Sequence, residues 1–172
     1  LQLADFDGDG HTDLAVALYA PNQVGLWRGD GTGAFTLVDR FPSRGRLPVR
    51  VRVADINGDR TLDLLVAHAH TDDSLALFYG DGGFAFPVSQ EILLGEDREL
   101  LEHEIRDAVA EDFTGDGRID LAAACHGSGE VAVLINETEG QSFHQTFRSE
   151  RYTWQEGKPR SLCVADFDQN DS

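Results

Sequence analysis

The chain has 172 residues and a formal charge of −17 at pH 7, because 31 acidic side chains outnumber 14 lysines and arginines. Nucleic acids and anionic membranes are polyanions, so this charge argues against both as partners. No run of residues approaches the roughly 18 apolar residues of a membrane-spanning helix, so direct membrane insertion is not expected. Leu1 opens directly on a predicted strand, and we expect any signal peptide to lie outside this fragment.

The first predicted strand leads into an acidic segment, residues 5–17, with the sequence DFDGDGHTDLAVA. Its first nine residues contain four carboxylates, which repel one another unless a cation lies between them. Oxygen-bearing side chains at loop positions 1, 3, 5 and 9, with small residues between them, are typical of a tight loop around Ca²⁺. The segment therefore predicts a calcium loop that is followed by a short buried strand.

This segment recurs along the chain. Residues 55–67 read DINGDRTLDLLVA, residues 112–124 read DFTGDGRIDLAAA, and a fourth copy begins at Asp166. The first Asp of each copy falls at position 5, 55, 112 or 166, and a period of this length predicts an array of repeated units. An EF-hand is not favoured, because it needs a glutamate at loop position 12 and helical flanks, and this chain has neither.

Each period predicts the same order of elements: a strand, the acidic loop, two short apolar strands, a glycine-rich hairpin and a longer fourth strand. Four-stranded antiparallel units repeated radially are the blades of a β-propeller. We therefore predict an all-β fold, a β-propeller segment of about three four-stranded antiparallel blades plus the first strand of a fourth. The predicted repeats are residues 1–48, 49–104, 105–159 and a truncated 160–172.

The loop motif, the hairpin GDGTGAF at residues 29–35 and the strand order together resemble the FG-GAP and VCBS repeat family. Members occur in the propellers of integrin α-subunits and in many secreted bacterial proteins. The resemblance implies one Ca²⁺ in each complete loop, about three in all, with a backbone carbonyl at position 7 as a further ligand. The implied ligands are Asp5, Asp7, Asp9, His11 and Asp13; Asp55, Asn57, Asp59, Thr61 and Asp63; and Asp112, Thr114, Asp116, Arg118 and Asp120.

The chain departs from the family pattern at two positions, and these departures predict that the three sites differ in Ca²⁺ affinity. Arg60 stands where the loop glycine is expected, and Thr114 replaces a stronger oxygen ligand. We therefore expect the first loop to bind Ca²⁺ most tightly. The tripeptide Arg28-Gly29-Asp30 matches one that integrins bind, but it lies in the glycine-rich hairpin, where turn geometry explains both Gly and Asp.

The favoured function is a calcium-stabilised extracellular or cell-surface module for binding or adhesion, and not an enzyme, because no nucleophile–base pair and no cofactor loop is evident. One alternative is the propeller portion of a secreted, calcium-dependent polysaccharide-degrading enzyme, and another is a structural spacer in a surface protein. Propellers close with about four to eight blades, so three predict a fragment whose partners include the remaining blades of a parent chain.

Antiparallel strands place the acidic loops and the glycine-rich hairpins at one end of each blade. The other end collects segments that differ between repeats, and such loops usually provide recognition. We expect a protein or carbohydrate ligand on that opposite face, because aromatic and Arg side chains supply most binding energy. Tyr152 and Trp154 could instead pack between blades. The candidate contacts are Tyr19, Arg44, Arg46, His70, Tyr152 and Trp154.

Overall fold

The computed structural model describes residues 1–69, 74–94, 104–140, 142–153 and 157–165. Among these residues there are twelve strands and no helix, so nothing in them matches the long apolar helix that crosses a bilayer. The strands are β1 (Gln2–Ala4), β2 (Asp13–Leu18), β3 (Gln23–Gly29), β4 (Phe35–Pro42), β5 (Pro48–Ala54), β6 (Asp63–His68), β7 (Ser74–Tyr79), β8 (Val88–Leu93), β9 (Ile105–Glu111), β10 (Asp120–Cys125), β11 (Glu130–Asn136) and β12 (Phe147–Thr153).

The strands form three four-stranded antiparallel sheets, each a simple meander in chain order. The first sheet contains β1 to β4, the second β5 to β8 and the third β9 to β12. The all-β fold of propeller-like blades that the sequence predicts is therefore confirmed, and the described residues do not close a ring. Residues 157–165, where the first strand of a fourth blade is predicted, form no strand, because no described strand pairs with them.

The burial of the middle strands explains why the sequence has continuous apolar runs there and not alternating apolar and polar residues. Every residue of β6, β7 and β10 is buried, so side chains on both faces of these strands avoid water. In β6, Leu64 packs in the apolar layer between the first and second sheets, whereas Leu65 packs in the layer between the second and third. The second sheet is thus covered on both faces, as a blade between two neighbours must be.

Position within a sheet sets the exposure of each strand. The first strands of successive sheets contact one another, β1 with β5 and β5 with β9, so they lie on the inner side. The fourth strands are the outer ones, and seven of the eight residues of β4 are exposed. Between the first two sheets, Phe6 packs against Phe84 and Phe86 at ring-centroid distances of 5.9 and 6.2 Å. These rings lie beside the acidic loops and fix the loop end of both sheets.

A buried ion pair joins the inner strands. The side chain of Asp107 in β9 is fully buried, and its Oδ1 lies 2.8 Å from Arg50 Nε and 3.0 Å from Arg52 Nη2 of β5. The Arg50 contact lacks hydrogen-bond alignment, whereas Arg52 donates a hydrogen bond. Asp107 Oδ2 accepts hydrogen bonds from Ser161 Oγ at 2.8 Å and Leu162 N at 3.1 Å. This carboxylate therefore connects the second sheet, the third sheet and the segment after β12.

We predict that Asp107→Ala lowers the free energy of unfolding by about 2–3 kcal/mol, because it removes the acceptor of several hydrogen bonds and leaves two guanidiniums without their anion. Burial would raise the pKa of Asp107, but the bonds from Leu162 and Ser161 and the two arginines outweigh it and hold the pKa below its usual range. This stabilisation is therefore present above pH 4 and is lost as the pH falls through the folded-state pKa.

Urea unfolding measures this effect at neutral pH. Glu111→Ala is the matched control, since Glu111 is an exposed acidic residue at the end of the same strand. Equal stability of the two variants would show that the Asp107 contacts do not stabilise the fold.

Candidate functional site

The first acidic loop is ordered by its own carboxylates. Asp5 Oδ1 accepts a hydrogen bond from the Gly8 N–H at 2.8 Å, and its Oδ2 accepts one from the Gly10 N–H at 2.9 Å. Both glycines have positive φ, 73° and 86°, a conformation that glycine adopts without steric cost. Asp9 Oδ1 accepts a bond from the His11 N–H at 2.8 Å. The chain thus curls around the carboxylates with its N–H groups turned inward.

The aspartate at loop position 9 fixes the loop to the rest of its sheet. Asp13 is fully buried, and it accepts hydrogen bonds from Phe6 N at 2.8 Å and from Gly29 N at 2.9 Å. Gly29 ends β3, and a Cβ added there would lie 2.1 Å from the carbonyl oxygen of Thr12. A side chain at this position is therefore excluded by the same close approach that brings the N–H to Asp13.

The same arrangement occurs in all three sheets. Asp63 and Asp120 are also fully buried at loop position 9, and each accepts one N–H from the loop and one from the end of the third strand of its sheet. The donors are Ile56 N and Gly80 N to Asp63, and Phe113 N and Asn136 N to Asp120, over 2.7–3.0 Å. The sequence predicts these aspartates as ligands only, and the one sign of this second role is their similar spacing, 16 or 17 residues, from the end of the third strand.

Three side chains of the first loop approach closely enough to share a cation. Asp5, Asp7 and Asp13 each offer a carboxylate oxygen, and these oxygens all lie within 4.8 Å of one another. Two oxygens that are each about 2.4 Å from one Ca²⁺ can be at most about 4.8 Å apart, so the arrangement fits this ion. Among the described residues, this is the group of three carboxylates whose oxygens lie this close together. Asp9, also a predicted ligand, is not in the group.

Arg28 contacts this cluster, and the sequence did not indicate that contact. Its Nη2 lies 2.7 Å from Asp7 Oδ2, and its guanidinium stacks on the Phe84 ring, 5.1 Å from the centroid. Asp30, two residues on, accepts hydrogen bonds from Thr32 and Ala34 within the hairpin. Both charged residues of the Arg-Gly-Asp tripeptide therefore have partners in the fold, which agrees with its interpretation as a turn.

The second loop has the same backbone path with different side-chain contacts. Asp55 accepts hydrogen bonds from Asp59 N at 3.0 Å and from Arg60 N at 2.9 Å, and Arg60 takes a positive φ of 72°. The Asn57 amide donates to Asp59 Oδ2 at 2.9 Å, and Thr61 Oγ1 donates to Asp59 Oδ1. The oxygens of Asp59 are thus engaged within the loop.

Burial has a measurable consequence for the second loop. It raises the pKa of Asp63 to about 6, and this effect outweighs the two N–H donors, which lower the pKa. The nearby Asp59 carboxylate raises it further. A carboxyl group with this pKa is costly to ionise in the folded protein, and a cation beside it would offset that cost.

In the third loop, the guanidinium of Arg118 lies beside Asp116, one of the predicted metal ligands. Asp112 accepts hydrogen bonds from Gly115 N at 2.8 Å and Gly117 N at 2.7 Å, so the loop is closed as the others are. The Arg118 side chain pairs with the Asp116 carboxylate, and its Nε donates to the carbonyl oxygen of Asn136 at 2.7 Å. Thr114 donates its hydroxyl to Asp112. Arg118 therefore neutralises part of the charge that this loop would present to a metal.

The position-7 residues face the neighbouring hairpin. A Cβ added at Gly31 would lie 2.5 Å from His11 Nδ1, so the imidazole rests on that glycine. Thr61 Oγ1 lies 3.2 Å from the Gly80 carbonyl oxygen. These contacts join each acidic loop to the glycine-rich hairpin of its own sheet, and this gives the loop end a common architecture.

The structure describes four of the six residues that are predicted to contact a partner. Tyr19, Arg44 and Arg46 are exposed at the end of the sheets opposite the acidic loops. The structure places Tyr152 within β12, not in a loop, with 49% of its surface exposed and its hydroxyl donating to Glu150 Oε2 at 2.9 Å. His70 and Trp154 lie outside the described residues.

Comparison with known proteins identifies the stretch that contains the first two loops. Residues 5–66 match the family model for the FG-GAP-like repeat. The match starts at the first aspartate of the first loop and ends in β6. No curated protein and no solved structure matches the chain. The resemblance predicted from the sequence is confirmed over this stretch.

Proposed function

We propose that this chain, whose residues 5–66 are an FG-GAP-like repeat, is a calcium-stabilised extracellular module that binds a protein or carbohydrate ligand and forms part of a larger propeller. The observation that supports this most directly is the cluster of Asp5, Asp7 and Asp13, whose carboxylate oxygens lie within 4.8 Å of one another. Carboxylates at such distances repel one another, and Arg28 beside Asp7 offsets only part of their charge, so a bound cation would stabilise the cluster.

Asp5, Asp7 and Asp13 would hold the ion in the first loop, and Ca²⁺ bound there would neutralise their charge and tie the loop to β2 and β3. The second loop would bind more weakly, because the side chains of Asn57 and Thr61 donate hydrogen bonds to both Asp59 oxygens. The third would bind weakest, because its described carboxylates do not converge as those of the first loop do, and Arg118 pairs with Asp116.

The calcium proposal is tested by calorimetric titration of the calcium-free protein. We expect Asp7→Ala to remove about one tightly bound equivalent, because it deletes one of three clustered ligands. Asp116→Ala is the matched control: it removes the same side chain from the third loop, and we expect the tight equivalent to persist. Wild-type stoichiometry in Asp7→Ala would rule out the first loop as the site.

The binding role is tested with the same protein loaded with calcium. Retention on a glycan array or on immobilised candidate proteins supports a binding module. Incubation with polyuronides distinguishes it from a degrading enzyme, since we expect no new unsaturated chain ends. The appearance of such ends would replace the binding proposal with an enzymatic one.

A further inference from the structure

The connection between the first and second sheets, residues 43–47, is held in one conformation by buried contacts. Ser43 is fully buried, and its N–H donates to the Asn22 carbonyl oxygen at 2.9 Å. The Leu47 N–H donates to Asn22 Oδ1 at 2.7 Å, so one asparagine holds both ends of the loop. The Leu47 carbonyl accepts the Ala69 N–H at 3.0 Å.

The middle of the loop rests on a buried imidazole. His68 is 1% exposed, and a Cβ added at Gly45 would lie 2.5 Å from its Cγ. His68 Nδ1 lies 3.0 Å from the Ser74 carbonyl oxygen, which orients the ring. Gly45 thus brings its backbone into contact with the core, and the residues on either side point outward.

Backbone strain is concentrated at this loop. Five non-glycine residues of the described chain have positive φ, and three of them belong to the loop or to the turn that holds it. These are Asn22 at 55°, Arg44 at 68° and Leu47 at 55°. Such conformations cost energy and persist only where the surrounding structure enforces them, and they cluster at functional sites.

The loop exposes two arginines that have no ionic partner among the described residues. Arg44 and Arg46 are both exposed on either side of Gly45. Seven other described arginines pair with carboxylates, as Arg28 does with Asp7, whereas Arg40, Arg60 and Arg160 resemble Arg44 and Arg46 in having no described ionic partner. A guanidinium binds carboxylates through paired hydrogen bonds, and a loop fixed in advance loses little entropy on binding.

An aromatic ring lies at the same end of the first sheet. Tyr19 is 54% exposed and opens the turn of residues 19–22, whose Asn22 holds the arginine loop. An acidic sugar offers a flat face of C–H groups for such a ring and a carboxylate for a guanidinium. A long polyanion is disfavoured, because it would extend over a surface with a net charge of −17.

We infer that the loop of residues 43–47, together with Tyr19, binds a short carboxylate-bearing oligosaccharide. This inference rests on the proposed function, since it assigns a ligand class to the face opposite the acidic loops. Arg44 and Arg46 pair with uronate carboxylates, and Tyr19 stacks on a sugar ring.

The test uses Arg44→Gly, because glycine suits the backbone at φ 68° and the substitution removes the arginine side chain without straining the loop. Arg60→Gly is the matched control: Arg60 is also exposed, has φ 72° and lies at the opposite end of the sheets. Calcium-loaded protein is titrated with a short oligogalacturonate. We expect Arg44→Gly to weaken binding about tenfold or more, while Arg60→Gly binds as the wild type does. Arg46→Gln provides a second variant with the same expectation.

Several outcomes would overturn the inference. These are failure of the wild type to bind oligogalacturonate, equal binding of a neutral galactose oligosaccharide, and affinity unchanged in both arginine variants. Tighter, Arg44-dependent binding of a short glutamate peptide would reassign the loop to an acidic protein segment. The calcium titration with Asp7→Ala reports on the proposed function separately, so the two can fail independently.

Discussion

Removing calcium from the loaded protein is expected to lower its melting temperature by about 5–10 °C. An ion present at a hundredfold excess over its dissociation constant stabilises the folded state by about 2.7 kcal/mol, and for a chain of this size each kcal/mol corresponds to about 2–4 °C. The physical cause is the approach of the Asp5, Asp7 and Asp13 oxygens within 4.8 Å, because Arg28 beside Asp7 compensates only part of their repulsion when the ion is absent.

Differential scanning calorimetry with calcium, with a chelator and with magnesium measures this effect. Magnesium is the informative control, since it requires a stricter octahedral geometry and loses its water reluctantly. We therefore expect it to restore less of the melting temperature. Identical melting in calcium and in chelator would exclude a stabilising calcium site.

Asp63→Ala is expected to lower the free energy of unfolding by about 2–5 kcal/mol in calcium-free protein at about pH 4, where Asp63 is protonated in the folded state. The substitution leaves the buried N–H groups of Ile56 and Gly80 without an acceptor, and each unsatisfied group costs about 1–3 kcal/mol. Asp63→Asn retains an acceptor oxygen in nearly the same volume, so it should lose less stability. Urea unfolding of both variants distinguishes a lost hydrogen-bond acceptor from a lost charge.

The ionisation of Asp63 makes the stability of the calcium-free protein depend on pH, and the pKa of Asp63 gives the direction of this dependence. Because burial raises the pKa of Asp63 to about 6, from 3.8, the folded state binds its proton more tightly than the unfolded state does. Its contribution in calcium-free protein is therefore complete below pH 4 and is lost as the pH rises through 6, by up to about 3 kcal/mol. Asp63→Asn should remove this dependence between pH 4 and 7, and a slope that persists in the variant would assign it to other groups.

The repeat period and the apolar runs were sufficient to predict the architecture. Strands such as β6, with six consecutive buried residues, cannot lie on a one-sided sheet, so the run DLLVAH already requires neighbours on both faces. The acidic motif likewise predicted where the loops lie, because glycines with positive φ are local requirements of the chain. The first strand of the fourth blade was predicted from the repeat pattern of the sequence alone. Residues 157–165 form no strand, because a strand also requires a neighbouring strand to pair with.

The positions of the loops and strands could be predicted from the sequence, since they depend on spacing and on local backbone preference. The differences between similar loops could not, because the tertiary packing sets them. Asp5, Asp7 and Asp13 converge, whereas Arg118 pairs with Asp116 in the third loop and Asp59 in the second accepts hydrogen bonds from the side chains of its own loop. The tertiary packing also decided that Gly45 rests on buried His68 and leaves Arg44 exposed without a described partner. Such differences depend on distances between side chains far apart in the chain, and these distances are set by how the sheets pack.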